Sequence, residues 1–141
     1  MTEFRISPLK GVEKIEFGML PDDIRRHFAS EPRTFKRTPQ DSFPCDYFES
    51  EGVFFYYDSE GHLEAVEFSS PARPSIADLN LLGLGLDKAT AALARLDSEV
   101  EREVDGAIAY QLGVSVYAPL AKEDATSPVE SLMAFRPGYY K

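Results

Sequence analysis

The sequence predicts an α+β protein in which two tandem units, each a helix followed by an antiparallel sheet, join their strands into one sheet with the helices on one face. Two observations lead to this prediction. Residues 52–68 carry a strong β-hairpin pattern, and the order of glycine, helix and strands in the first half recurs in the second. We therefore expect one domain over residues 1–141, made of two pseudo-repeats, 12–70 and 76–137.

The hairpin at residues 52–68 begins with aromatic and β-branched residues, which pack well on a pleated surface. Asp-Ser-Glu-Gly at positions 58–61 then indicates a turn, in which Gly61 can adopt positive φ. A second apolar run, from Leu63 to Phe68, is predicted to return as the partner strand.

A helix is predicted in each unit. Pro21 suits the first turn of a helix over residues 21–29, because its missing N–H costs nothing there. The second helix is predicted to run from an N-cap at Asp87 to about Leu96, with one apolar face buried. The residues of that face are Ala89, Ala92, Leu93 and Leu96.

Further strands are predicted from apolar alternation and from turn signals. They cover residues 12–17, 46–49, 99–103 with Val100 and Val104 directed inward, 108–112, 113–117 and 129–135. The two units are aligned by pairing residues 46–48 with 110–112, 52–56 with 113–117, and 64–68 with 131–135. Because identities are sparse, the repeat depends on the order of elements and on pattern.

The net charge of −9 and the pI of about 4.7 argue against a nucleic-acid-binding protein, which needs cationic surface, and against adhesion to anionic membranes. No segment approaches the roughly 18 consecutive apolar residues of a membrane span, and no secretory signal is visible. The single cysteine, Cys45, excludes an intrachain disulfide. These features predict a cytoplasmic protein.

Acidic residues are concentrated around the hairpin. Residues 38–72 contain no Lys or Arg but eight carboxylates, interleaved with tyrosine and phenylalanine. Carboxylates steer a cationic partner and aromatic rings supply buried contact area, so we expect this face to bind a basic protein. The residues predicted to contact that partner are Asp46, Tyr47, Glu49, Tyr56, Asp58, Glu60, Glu64 and Glu67.

Catalytic and metal-binding chemistry is not indicated. Cys45 lies beside Asp46, whose charge opposes the thiolate that a nucleophile requires. His62 with Asp58 or Glu60 has suitable donor types for a metal but not the spacing of a metal site. Glu64 and Glu67 lie on opposite faces of a regular strand and are therefore not a glycosidase-like pair. We predict no enzyme activity, no metal and no cofactor.

The Gly18-Met19 start, the helix after it, the strand near Tyr47 and the hairpin resemble the helix-then-sheet unit of the β-lactamase inhibitor protein, in which two such units occur in tandem. Small outer-membrane assembly lipoproteins related to that inhibitor carry one unit. The Tyr-Tyr-Asp-Ser-Glu-Gly hairpin and the Gly-Tyr-Tyr ending also resemble a group of small uncharacterised bacterial proteins of immunity-like type. The resemblance implies protein binding through the face of the sheet.

The preferred prediction is therefore a non-catalytic binding module for a basic protein, in concrete form an immunity-type inhibitor that covers the active site of a basic toxin such as a nuclease. The alternative is a small-ligand-binding or enzymatic domain with a pocket between the sheet and the helices. A third alternative is an accessory domain whose acidity serves only solubility.

Overall fold

The computed structural model describes residues 3–140, which form twelve strands in two sheets and two α-helices, so the predicted α+β class is confirmed. The strands are β1 (Glu3–Ser7), β2 (Gly11–Val12), β3 (Ile15–Glu16), β4 (Arg33–Phe35), β5 (Cys45–Phe48), β6 (Val53–Tyr57), β7 (Leu63–Ser69), β8 (Arg73–Ser75), β9 (Val100–Glu103), β10 (Gly106–Ala109), β11 (Val114–Tyr117) and β12 (Ser131–Phe135). The helices are α1 (Pro21–Arg25) and α2 (Leu86–Leu96).

The larger sheet contains eight antiparallel strands in the order β4-β5-β6-β7-β12-β11-β10-β9. Each half of the chain contributes four of them, and the order from the edge to the centre is the same in both halves. The halves meet where β7 pairs with β12, with Glu67 opposite Met133. The strands of both halves thus form one sheet, as the sequence predicted.

The smaller sheet, in the order β3-β2-β1-β8, is absent from the sequence-based prediction. Its strand β1 alternates buried Phe4 and Ile6 with exposed neighbours, which is a period-two pattern. The strand predicted at 12–17 is instead divided into β2 and β3, because Glu13 adopts a φ of 52° and begins a turn. The ring of Phe4 lies 5.2 Å from that of Phe68, which joins the two sheets.

Both helices pack on one face of the larger sheet, which we call the inner face. Ile24 of α1 and Leu93 of α2 belong to the same buried cluster as Phe55 and Val116 of the sheet. Burial of this continuous apolar cluster is the main source of stability. No helix of the described residues is both long enough and apolar enough to cross a membrane.

The helix boundaries differ from the prediction. Helix α1 ends four residues earlier than predicted, although Phe28 beyond it still stacks on Phe48 with ring centroids 4.0 Å apart. Helix α2 has its N-cap at Gly85, so Asp87 lies within the first turn and stabilises the helix through the dipole rather than as a cap. Leu96, predicted to be buried, is 42% exposed at the helix end.

The strands of the second half also differ in two places. The predicted strand 108–112 is displaced, since β10 ends at Ala109 and residues 110–113 form the turn into β11. By register, Phe48 faces Val53 as Ala109 faces Val114, so the residues equivalent to 46–48 are 107–109. Val104, predicted to point inward, lies in the β9–β10 turn and is 64% exposed.

The opposite side of the larger sheet, which we call the outer face, carries a second and smaller cluster. Its buried residues are Cys45, Tyr56, Ala65, Ile108 and Phe135. The C-terminal tail, residues 136–140, folds back on this cluster, where Tyr139 stacks on Phe135 with ring centroids 5.7 Å apart. The tail therefore covers the middle of the outer face.

Candidate functional site

Asp46, one of the residues predicted to contact a partner, is fully buried on the inner face. Arg25 of α1 donates to it from Nε at 3.0 Å and from Nη2 at 2.7 Å, and the Tyr57 hydroxyl donates at 2.7 Å. Burial and this hydrogen bond raise the pKa of Tyr57. Asp46 fastens α1 to the sheet, and a partner cannot reach it.

Asp58 and Glu64, also predicted contacts, bind the tail of the same chain. Arg136 donates to Asp58 at 2.8 Å and lies 3.5 Å from Glu64. Burial would raise the pKa of Asp58, but hydrogen bonds from Arg136 and from the backbone N–H groups of His62 and Glu60 outweigh it and lower that pKa. Burial raises the pKa of Glu64, because Arg136 compensates only part of its desolvation.

Tyr56 and Glu67 form a pair on the outer face. The Tyr56 hydroxyl donates to Glu67 at 2.5 Å, and the guanidinium of Arg37 lies 3.9 Å from the centre of the Tyr56 ring. A guanidinium at this distance is attracted to the ring face. Burial, followed by the bond to Glu67, raises the pKa of Tyr56. Glu67 and Tyr56 therefore already have interaction partners within the chain.

The remaining predicted contacts are dispersed. Tyr47 stacks on Phe54 at 4.0 Å on the outer face, Glu49 pairs with Arg33 at 3.1 Å on the surface, and Glu60 is exposed in the hairpin turn. The eight residues therefore do not form one free acidic surface. The eight residues lie close together in the sequence, but in the folded protein most of them contact another side chain of the same chain.

A groove crosses the outer face in the second half of the sheet, with a cavity volume of about 220 Å³. Small residues create it: Gly106, Ser115 and Ser131 line the groove, and by register Ser115 occupies the position that Phe54 holds in the first half. Ile108 and Met133 provide an apolar floor. We call this feature the outer groove.

Carboxylates lie at both ends of the outer groove. A row of directly paired residues crosses the sheet in the order Glu67, Met133, Ser115, Ile108, Glu101. Four strand spacings of about 4.8 Å place its two acidic ends roughly 19 Å apart. Glu103 and Asp105 add two more carboxylates on the β9 side. The groove is thus an apolar channel with acidic ends.

Two tyrosines line the outer groove with exposed rings. Tyr117 of β11 is 49% exposed and Tyr140 of the tail is 39% exposed. Tyr140 is held by edge-to-face contacts with Phe135 at 4.9 Å and with Tyr110 at 6.1 Å. The folded tail therefore forms part of the groove.

The β9 end of the groove was not among the predicted contacts. The sequence predicts a strand over residues 99–103, and a strand places Glu101 and Glu103 on the same face. This alternation could have indicated an acidic edge. What the sequence could not show is that the edge faces a depression made by small residues on three other strands.

Glu64 and Glu67 do not follow the regular alternation assumed from the sequence. The pairing of β6 with β7 shifts between Tyr56 and Tyr57, so that Ala65 faces Tyr56 and Leu63 faces Tyr57. This β-bulge places one extra residue in β7 and changes the direction of Glu64. Their assignment to opposite faces of a regular strand is therefore wrong, although neither carboxylate lies free in a catalytic cleft.

The described residues hold no group of three or more His, Cys, Asp and Glu side chains arranged for a metal. Cys45 is buried in the outer cluster, and burial raises the pKa of its thiol, which opposes nucleophilic chemistry. His62 lies in the hairpin turn, where its backbone N–H donates to Asp58 at 3.0 Å.

Comparison of the chain with protein-family models, with curated proteins and with solved structures found no match in any of the three. The resemblance to the β-lactamase inhibitor protein accordingly stays a prediction.

Proposed function

We propose that the protein is a non-catalytic binding module that receives a basic protein on its outer face, across the outer groove. The observation that supports this most directly is the groove itself, an apolar floor between acidic ends with two exposed tyrosines. Tyrosine is common at the centres of protein interfaces, and acidic ends favour a partner of opposite charge.

The size of the groove favours a protein partner over a small metabolite. A cavity of about 220 Å³ is smaller than the roughly 300–1,000 Å³ of typical small-molecule pockets. Two exposed apolar residues lie close in the chain to lining residues: Val104, between Glu103 and Asp105, is 64% exposed, and Leu120, three residues after Tyr117, is 60% exposed. Such a neighbourhood suits a wide contact.

The alternative of a pocket between the sheet and the helices receives no support from the packing. That space is occupied by the buried cluster of Phe48, Phe55, Phe68, Leu93 and Leu132. A ligand there would have to displace core side chains, which costs several kcal/mol for each large residue.

In its concrete form, the proposal is that the protein is an immunity-type inhibitor that covers the active site of a basic toxin, for example a nuclease. The acidity of the chain, −9 overall, supports fast association with such a partner at low ionic strength. A cytoplasmic location is part of the same proposal.

The test begins with capture of binding proteins from the source organism on the immobilised full chain, followed by purification of the retained protein. Calorimetry then compares wild type with Glu101→Gln/Glu103→Gln and with the control Glu49→Gln/Glu51→Gln, which removes the same charge from a surface outside the groove. We expect the groove variant to weaken binding by at least about tenfold and the control to change it little.

Equal weakening by both variants would show that only net charge matters and would overturn the proposed site. If the purified partner is a toxin, its activity is measured with increasing amounts of the protein. Inhibition at a one-to-one ratio is expected, and full toxin activity in the saturated complex would overturn the inhibitor role.

A further inference from the structure

Three carboxylate–tyrosine pairs recur in the larger sheet. The Tyr57 hydroxyl donates to Asp46 at 2.7 Å, and the Tyr56 hydroxyl donates to Glu67 at 2.5 Å. The third pair lies at the β9 end of the outer groove, where the Tyr110 hydroxyl donates to Glu101 at 2.6 Å. In each case the tyrosine satisfies one carboxylate oxygen and restricts its orientation.

An arginine contacts each of the first two pairs. Arg25 makes a two-point contact with Asp46, and Arg37 stacks on the Tyr56 ring. Each assembly thus contains a carboxylate, a tyrosine and a guanidinium. Arginine suits this combination because its planar group can donate to a carboxylate and stack on a ring at the same time.

The third pair has no such cation among residues 3–140, where no Lys or Arg forms an ion pair with Glu101 or Glu103. Arg102, between them, pairs across the sheet with Ala107 of the inner cluster and therefore points away from the outer face. Lys122 lies 3.9 Å from Asp105, a long contact, and forms no ion pair with Glu101 or Glu103.

We propose that the β9 end of the outer groove is a binding site for an arginine side chain of the basic partner. The guanidinium stacks on Tyr140 and donates to Glu101 and Glu103, while the aliphatic part of the side chain lies along Ile108. This inference rests on the proposed function and specifies which side chain the partner presents.

Lysine fits the site less well for physical reasons. Its ammonium is compact and strongly hydrated, so it loses more on entering a groove with an apolar floor, and it has no plane to stack on Tyr140. The bond from Tyr110 to Glu101 already orients one carboxylate, and it raises the pKa of Tyr110 to about 12. A pre-oriented carboxylate favours the forked donors of arginine.

The test uses two blocked tripeptides, Gly-Arg-Gly and Gly-Lys-Gly, titrated into the isotope-labelled full chain and followed by the backbone amide signals. We expect the arginine peptide to shift the signals of Glu103, Ile108, Ser115 and Tyr140. We expect it to bind at least about threefold more tightly than the lysine peptide.

Two variants and their controls assign the contacts. Tyr140→Leu keeps apolar bulk but removes the ring, and Glu101→Gln removes the carboxylate charge. Each variant is expected to bind the arginine peptide with about fivefold lower affinity. The matched controls Tyr47→Leu and Glu49→Gln, in the first half of the sheet, should leave its affinity unchanged.

The outcomes separate this inference from the proposed function. Equal affinity for the two peptides, or shifts centred away from the β9 end, overturns the arginine site. A third outcome is that neither peptide shifts the amide signals of the groove residues, while the purified partner still binds Glu101→Gln/Glu103→Gln more weakly than wild type. The arginine site is then overturned and the binding function stands.

Discussion

The two halves of the outer face have the same strand order but differ in the shape of their surface. In the first half, the rings of Tyr47, Phe54 and Tyr56 stack in a row, with centroids 4.0 and 6.1 Å apart, and fill the face. In the second half, small residues such as Gly106 and Ser115 leave a groove. The same architecture therefore gives a filled surface on one side and a receptive one on the other.

The acidic residues of the two halves differ in the same way. Asp46, Asp58 and Glu64 each contact an arginine of the same chain. Glu103 of β9 lines the outer groove instead and forms no ion pair among residues 3–140. A carboxylate that already has a partner contributes to stability, and one that lies in a groove is available for binding. A dense acidic run in the sequence is thus a poor guide to a site.

The largest effect is expected where the acid is fully buried. Asp46→Ala removes the partner of Arg25 and leaves the Tyr57 hydroxyl without its acceptor, so we expect a loss of about 3 kcal/mol in the free energy of unfolding. Urea unfolding measures it. The matched change Glu103→Gln should stay within about 0.5 kcal/mol of wild type. Similar losses in both variants would contradict the division between the halves.

A smaller effect is expected at the tail. Arg136→Gln breaks the contacts to Asp58 and Glu64 that hold residues 136–140 on the outer cluster, and we expect a loss of about 1–2 kcal/mol. Because Cys45 lies in that cluster, its thiol should also react faster with a disulfide reagent.

The control for the tail is Arg26→Gln, which removes an arginine of an exposed ion pair on α1. It should alter neither the stability beyond about 0.5 kcal/mol nor the rate of the Cys45 reaction. An unchanged thiol rate in Arg136→Gln would show that Arg136 does not hold the tail on the sheet.

The smallest effect distinguishes the two acids that share Arg136. The pKa of Asp58 is lowered in the folded protein, so its stabilisation is present at neutral pH and is lost as the pH falls through that lowered value. The pKa of Glu64 is raised, so folding gains stability as the pH falls from neutral toward its ordinary value of 4.5.

Unfolding free energies between about pH 3 and pH 7 test this contrast. Asp58→Asn should cost about 1 kcal/mol at neutral pH, and that cost should disappear in acid. Glu64→Gln should cost less at neutral pH and should remove the gain on mild acidification. Identical pH profiles for the two variants would contradict the opposite pKa shifts.

The fold class, the hairpin and the second helix could be predicted because their signals are local. Alternating aromatic and β-branched residues around Gly61 specify the hairpin, and apolar spacing specifies α2. The pairing of β1 with β8 could not be predicted although Phe4 and Ile6 alternate in the sequence, because the two strands lie some seventy residues apart. Pairing between such distant segments leaves no local signal.

The candidate site could be predicted from the sequence to a smaller degree than the fold. The sequence established an acidic chain with an open sheet rich in aromatic residues, because composition and periodicity are local properties. The tertiary structure decides which side chains the arginines contact. Arg25, Arg37 and Arg136 each contact a carboxylate or a tyrosine that is distant in sequence. Which acids remain for a partner follows from those contacts, because a charge is neutralised by what lies near it in space.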